Sequence, residues 1–198
     1  MKTYVQIGSN VGNDDFQKLI EKLNERSRII LVEPNITLHD ILLSNYNDLI
    51  NKHDITVESC GISIKKEEVD IYLYSDSGWS SSINRRHNIP KIKPTTMKIN
   101  TLTFNDLCEK YDISNIEYLS IDTEGLDYEI LNSIDLSKID IKNILFEKWN
   151  IDNDDLNENY RTGLQFLNDY IIPKYKDYKW EDTILGFSPT YKLIKIIN

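Results

Sequence analysis

Apolar and polar positions follow two alternating rhythms along this chain. Short apolar runs stand at Thr3–Ile7, Ile29–Val32, Ile55–Glu58, Ile116–Ile121 and Asn143–Phe146, with the length and composition of buried strands. Between them apolar residues recur at helical spacing. The first set is Phe16, Leu19, Ile20 and Leu23; the second is Ile41, Leu42, Asn45, Leu49 and Ile50. Others run from Thr103 through Tyr111, over Tyr128, Ile130, Leu131 and Ile134, and over Leu156, Tyr160, Leu164, Leu167 and Ile171. Asp14 is placed to cap the first helix, with Gln17 as capping-box partner. Asp70–Tyr74 reads as an extra strand and Asp76–Pro94 as a long loop. Two final strand-like runs, Thr183–Phe187 and Tyr191–Ile197, are joined by Ser188-Pro189-Thr190, which predicts an antiparallel hairpin. Strands alternating with helices predict βαβ units and a mostly parallel α/β sheet. No repeat or linker divides residues 1–198, so a single domain is expected.

Charge and composition narrow the partners. A formal net charge of −9 repels phosphate backbones over most of the surface, so nucleic acid is not the expected partner. No apolar run approaches the ~20 residues of a membrane span, so no membrane is expected. After Met1-Lys2 comes a strand-like run rather than a signal-peptide core. Cys60 and Cys108 stand alone, and His39, His53 and His87 have no metal-ligand spacing. That pattern fits a reducing, cytoplasmic setting and gives no metal site. The chain has no alanine and is rich in Ile, Asn, Lys and Asp, so Asn or Lys clusters carry little weight alone.

The turn after the first strand reads Ile7-Gly8-Ser9-Asn10-Val11-Gly12. A dinucleotide-binding turn needs glycine where Asn10 stands, so that a pyrophosphate can approach the backbone. The turn still suits a ligand without a diphosphate, and the amides opening the Asp14 helix suit a carboxylate. Glu33 closes the second strand, about 20 residues past Gly12, where an acid accepts hydrogen bonds from both ribose hydroxyls. The two features ask for a nucleoside with a carboxylate and no diphosphate, and S-adenosylmethionine fits that description. The competing reading makes the glycines a tight strand–helix turn and Glu33 a solvated strand end.

Farther on, Ile121-Asp122-Thr123-Glu124-Gly125 sends two carboxylates out of a buried strand together. This segment resembles the I-D-x-E-G stretch of the FkbM family of S-adenosylmethionine-dependent methyltransferases. Gly8-Ser9-Asn10-Val11-Gly12 is similar to that family's G-x-N-x-G turn. Glu33-Pro34-Asn35 is similar to its E-P-N segment, and Thr101-Leu102 to its T-L lead into the next helix. The likeness runs from Tyr4 to about Trp149. Where the family's first strand ends with an acid, this chain has Gln6. An amide can hold a ligand's ammonium through its carbonyl, less strongly than a carboxylate does. The resemblance implies a Rossmann-like class I methyltransferase fold. Its sheet is seven-stranded and mostly parallel, with an antiparallel C-terminal hairpin and helices on both faces. It implies methyl transfer, most often to a hydroxyl of a sugar, glycan or small metabolite. In its terms Gly8, Ser9, Asn10 and Gly12 pass the methionine part, and Glu33, with Pro34 and Asn35, holds the ribose. Cys60 and Gly61 lie near the adenine, and Asp122 sits by the transferred methyl or the ammonium.

A neutral hydroxyl must lose its proton during or before attack, and Asp122 and Glu124 are the candidate catalytic groups. Two carboxylates alone are too few to argue for a metal. Glu124 has a structural alternative as a cap of the Asp127 helix. Glu147 is expected to face the same cleft, and Trp149 to wall it or join the core. The basic cluster Arg85-Arg86-His87, with Lys91, Lys93 and Lys98, reads either as a grip on an anionic acceptor or as a solvated loop. Three other functions compete with O-methyl transfer. An NAD-dependent oxidoreductase lacks its middle glycine, and a nucleic-acid methyltransferase lacks both the charge and an Asn-Pro-Pro-Tyr signature. A weak or inactive S-adenosylmethionine-binding module is favoured only by Gln6.

Overall fold

The structure, a computed structural model, describes residues 1–73, 81–82, 94–147, 165–185 and 188–196. Strand β1 (Thr3–Ile7) leads through helix α1 (Asp15–Glu21) to β2 (Arg28–Val32), then through α2 (His39–Asn45) and α3 (Asn47–Ile50) to β3 (Asp54–Glu58). An arm follows: β4 (Gly61–Ile62), β5 (Glu68–Leu73), β6 (Ser81–Ser82) and β7 (Thr95–Leu102). Next come α4 (Phe104–Lys110), β8 (Asn115–Ile116), β9 (Tyr118–Ile121), α5 (Asp127–Ser133), β10 (Asp140–Ile141) and β11 (Asn143–Glu147). A π-helical turn, Leu167–Ile171, and an α-helical turn, Ile172–Lys174, precede β12 (Tyr178–Leu185) and β13 (Ser188–Lys195).

Seven strands form one sheet in the order β12-β13-β11-β9-β1-β2-β3. The neighbours from β3 across to β11 run parallel, and β13 is antiparallel to both β11 and β12. The chain steps outward from β1 to β3, then returns to β9 on the other side of β1. That reversal makes the carboxyl ends of β1 and β9 the crevice of the fold. Alternate residues of each inner strand face opposite layers. Val5, Ile7, Ile30 and Val32 pack with Phe104, Leu107, Ile130 and Leu131. Tyr4, Ile29 and Leu31 pack with Phe16, Ile20, Leu42, Tyr46 and Leu49. Burial on both faces is why these strands read as unbroken apolar runs.

The structure departs from the expected elements in four places. Just past the expected loop, Thr95–Leu102, to which the apolar pattern assigns no element, is a strand antiparallel to β5, with Ile71 opposite Met97. It belongs to a second, four-stranded sheet in the order β4-β7-β5-β6. Within β7 only Ile99 and Thr101 are buried, so a half-exposed strand left too faint an alternation to read. In the terminal hairpin Ser188, Pro189 and Thr190 lie in β13 and pair with Leu185, Ile184 and Thr183. Pro189 is tolerated there because it sits at the start of a strand. Asp14 caps α1 by accepting the Gln17 amide at 3.0 Å, but the Gln17 side chain donates to the Asn45 carbonyl instead. The second helical stripe breaks at Tyr46, so Leu42 and Leu49 are buried while Ile41 and Ile50 are exposed. Leu156, Tyr160 and Leu164 lie outside the described residues. No helix among the described residues is long and apolar enough to cross a membrane.

Candidate active site

The turn after β1 is held by its neighbours on both sides. The amides of Gly8 and Ser9 both donate to the Val32 carbonyl, at 2.9 and 3.0 Å. Gly8 has φ +81, and a Cβ there would stand 1.8 Å from the Asp122 carbonyl oxygen. The turn therefore lies directly against the end of β9, closer than any side chain permits. Gly12, at φ +67, faces Leu42 and Tyr46 at similarly short range. Both glycines thus have a packing task that holds whatever binds beside them. Ser9 is fully buried, with its hydroxyl turned back toward the Gln6 carbonyl.

Glu33 joins the two loops expected to meet a ligand. Its Oε2 accepts the Asn10 amide at 2.7 Å, and its Oε1 accepts the Asn35 amide at 2.8 Å. Asn10 takes a left-handed φ of 48° to make this contact. Asn35 in turn caps the short helical turn through Thr37, and Pro34 is half-buried between them. The His39 ring meets the Glu33 carbonyl at 2.8 Å, a link that a lone histidine in the sequence did not announce. Glu33 is 3% exposed, far from the solvated strand end of the competing reading. Burial raises its carboxyl above the ordinary value, and the Asn35 and Asn10 amides and His39 only partly offset that. Each carboxylate oxygen keeps a second lone pair for a further donor.

Gln6 stands on the same face of β1 as Tyr4 and is 4% exposed. Its Nε2 donates to Asp14 Oδ2 at 2.6 Å, which fixes the amide's orientation because a carbonyl there would meet a carboxylate. Its Oε1 is buried and has no hydrogen-bond partner. An orphaned buried acceptor asks for a donor. With Glu33 across the turn, the pair supplies what an amino-acid-bearing nucleoside requires: an acceptor for its ammonium and a carboxylate for its diol. The site residues therefore fit that group.

Asp122 begins where β9 ends, its amide donating to the Ile7 carbonyl at 2.9 Å. Two residues later Glu124 and Gly125 have φ 57 and 128, so the chain doubles back. Thr123 Oγ1 donates to Asp127 Oδ2 at 2.8 Å and accepts the Leu126 amide at 3.1 Å. Leu126 stands at the N-cap of α5 and makes no side-chain cap hydrogen bond. Asp127 is 1% exposed. Its carboxyl is pushed up to about 7 by burial and then by the Asp122 charge, with the Thr123 hydrogen bond opposing and Glu147 adding. Asp127 belongs to no motif of its own; its signal in the sequence is the four-residue spacing from Thr123. Glu147 closes β11, where Phe146 is paired with Ile121, so Asp122 and Glu147 leave adjacent strands at one level. Carboxylate oxygens of Asp122, Glu124 and Glu147 all lie within 4.8 Å of one another. Glu147 thus faces the same cleft, as expected.

Cys60 packs into the core beside β1 and β2, and burial pushes its thiol up to about 12, which leaves it inert as a nucleophile. Gly61 opens β4 opposite Thr101. Next to them Glu58 is bonded by Lys110 and by the Tyr111 hydroxyl, a cluster that no local pattern along the chain announces. Lys98 pairs with Glu68. Arg85, Arg86, His87, Lys91, Lys93 and Trp149 lie outside the described residues.

A parallel sheet of this order, closed by an antiparallel hairpin with loops gathered at β1, β2 and β9, is a class I Rossmann-like methyltransferase fold. The family model described as the methyltransferase FkbM domain matches residues 6–189, and the chain belongs to that family. Among solved structures, methyltransferase FkbM from Methylobacillus flagellatus KT is similar at a TM-score of 0.60 and 17% identity. That match covers 97% of this chain and 43% of the other, so the chain spans less than half of that relative's length. An O-methyltransferase from Bacillus cereus, in complex with SAH, is similar at a TM-score of 0.56 and 13% identity, covering 98% of this chain and 74% of the other. Aeropyrum pernix fibrillarin, with natively bound S-adenosyl-L-methionine, gives 0.53 and 11%, covering 98% and 66%. No curated protein matches the chain.

Proposed function

We propose that this chain binds S-adenosylmethionine at the carboxyl ends of β1, β2 and β9 and transfers its methyl group to a hydroxyl of a sugar, glycan or small metabolite. The observation that carries the reading is the buried Glu33 carboxylate, which ties the Gly8–Gly12 turn to the end of β2 through the Asn10 and Asn35 amides, with the unpartnered side-chain oxygen of Gln6 on the strand that leads into that turn. Two proteins of similar fold are described with this cofactor or its demethylated product. In this reading the Gly8–Gly12 backbone passes the methionine part, with Ser9 and Asn10 holding its shape. Gln6 accepts from the ammonium, and Glu33, steadied by Pro34 and Asn35, accepts from the ribose hydroxyls. The Cys60–Gly61 turn borders the adenine.

When bound, the cofactor supplies an electrophilic methyl on a sulfonium with a good leaving group. The protein's own task is then alignment and proton removal. Asp122, exposed at the end of β9, accepts the acceptor's hydroxyl proton, and Glu124 orients that hydroxyl. The acidic cleft also tolerates the cofactor's positive charge.

Calorimetry with S-adenosylmethionine, S-adenosylhomocysteine and NAD tests the reading. Wild type is expected to bind the first two, and Glu33→Ala neither; binding of NAD alone sinks the proposal. A labelled-cofactor screen of sugars and extracts then identifies the acceptor. Turnover that survives Asp122→Ala unchanged removes Asp122 from the chemistry.

A further inference from the structure

We propose that His39 is a positioning residue for the ribose-binding carboxylate of Glu33: its ring holds the Glu33 main chain and, once protonated, keeps that carboxylate charged in acid. This role rests on the cofactor-binding reading of Glu33. His39 opens α2, and its Nε2 stands 2.8 Å from the Glu33 main-chain carbonyl oxygen. A carbonyl can only accept, so Nε2 carries the hydrogen of that bond. The ring's second proton then enters at Nδ1. Among the described residues none bonds Nδ1, and the residue is half-buried rather than sealed.

Glu33 is a carboxylate that gains from such a neighbour. It is 3% exposed, and each of its oxygens accepts one main-chain amide, from Asn10 and from Asn35. Burial pushes the carboxyl up; the Asn35 and Asn10 amides pull it down, and the charge of His39 pulls the same way. Imidazole ordinarily gains its proton as pH falls from 8 to 5, and a buried carboxyl loses its charge earlier in that fall than an exposed one. The cation therefore forms as the carboxylate comes to need it. Among the described residues no other charged group acts on Glu33 in this way. Glu58 lies beside it on β3, but its carboxyl is taken by Lys110 and Tyr111. Cys60, beyond β3, has a thiol pushed up to about 12 by burial and stays neutral. The Gly8–Gly12 turn and the Ile36–Leu38 turn carry no titratable side chain, and Asp40, next to His39 on α2, is exposed.

The Glu33 main chain is thus held on both sides. Its amide donates to the Glu58 carbonyl at 3.0 Å, and its carbonyl accepts from His39 at 2.8 Å. The hydrogen bond acts at every pH, whereas the charge acts only in acid, so one substitution can remove the second and keep the first.

The test compares the full chain as wild type, His39→Gln and His39→Ala, with melting curves showing that each folds. Glutamine keeps an N–H for the Glu33 carbonyl and lacks the charge; alanine lacks both. Calorimetry measures S-adenosylhomocysteine affinity at pH 8 and at pH 5. His39→Gln is expected to bind as wild type does at pH 8 and about two- to fivefold more weakly than wild type at pH 5. His39→Ala is expected to be weaker at both. A carboxyl-carbon NMR titration of Glu33 without ligand reads the same coupling, and its midpoint is expected to lie higher in His39→Gln than in wild type. Equal Glu33 midpoints in those two proteins, or superimposable pH profiles of binding, overturn the proposal. A wild type that binds no S-adenosylhomocysteine at either pH ends the proposed function instead, and the Glu33 midpoints then decide by themselves whether His39 holds the charge.

Discussion

Replacing Gly8 by alanine probes the contact on which the crevice is built. The added Cβ falls 1.8 Å from the Asp122 carbonyl oxygen, where ordinary contact begins at 3.4 Å. The two strand ends must therefore separate by about 1.6 Å, and both partners are backbone, so no side-chain rotation relieves the overlap. The residue also has φ +81, which costs an alanine about 1–2 kcal/mol. Overpacking in a close-packed interior adds about 1–3 kcal/mol. The expected loss is about 2–5 kcal/mol, a large share of the ~5–15 kcal/mol that holds a domain together. Urea unfolding followed by circular dichroism reads it as a lower midpoint at unchanged slope. Gly12→Ala is the internal comparison. Its Cβ meets Leu42 Cδ1 at 2.4 Å and the Tyr46 ring at 2.7 Å, side-chain atoms that can yield, so its loss is expected to be smaller. A Gly8→Ala protein within about 0.5 kcal/mol of wild type, or less affected than Gly12→Ala, refutes the packing argument.

Further outcomes follow from the charged groups around the crevice. Cofactor binding through the Glu33 carboxylate weakens as pH falls, and because burial holds that carboxyl above its ordinary 4.5, the weakening begins at higher pH than an ordinary glutamate gives. Calorimetric Kd values between pH 5 and 8 check this, and Glu33→Gln is expected to bind weakly with no such slope. Glu58 behaves in the opposite sense: burial alone would raise its carboxyl, but Lys110 and Tyr111 hold it below the ordinary value. Its contribution to stability is present above its unfolded pKa and is lost as pH falls through the folded one. Lys110→Met therefore moves acid unfolding to higher pH in a circular dichroism titration. Gln6→Glu restores the family's usual acid, yet places it against Asp14 Oδ2, where the amide donates at 2.6 Å. It is expected to lower stability by about 1–3 kcal/mol, and Asp14→Asn in the same chain to recover part of that, as read by thermal melting.

The sequence carried the sheet well, because β1, β2, β9 and β11 are buried on both faces and each reads as an apolar run. The local segments of the site were legible too: the Gly8–Gly12 turn, Glu33-Pro34-Asn35 and Asp122-Thr123-Glu124 each close a strand. What escaped was the convergence of distant positions. Nothing along the chain tells that Glu33 spans to the Asn10 amide, or that Asp127 is sealed under the loop it follows. Residues such as these acquire their character from burial, which a charge on a helix does not reveal. Strand β7 escaped for a simpler reason: half of its residues are exposed and only Ile99 and Thr101 are buried, so its apolar period is faint.

The arm between β3 and α4 leaves and rejoins the body at one spot. Gly61 and Ile62 pair with Thr101 and Leu102, and the buried Thr101 hydroxyl donates toward the Lys65 and Glu67 carbonyls and accepts the Glu67 amide. Outgoing and returning segments are thus knotted together at the root by their own main chain. Anything grafted beyond that root stretches a loop whose ends are already tied, and each doubling of a flexible loop costs only about 0.6 kcal/mol. The arm can therefore lengthen, shorten or change its tip while the seven-stranded platform beneath stays undisturbed.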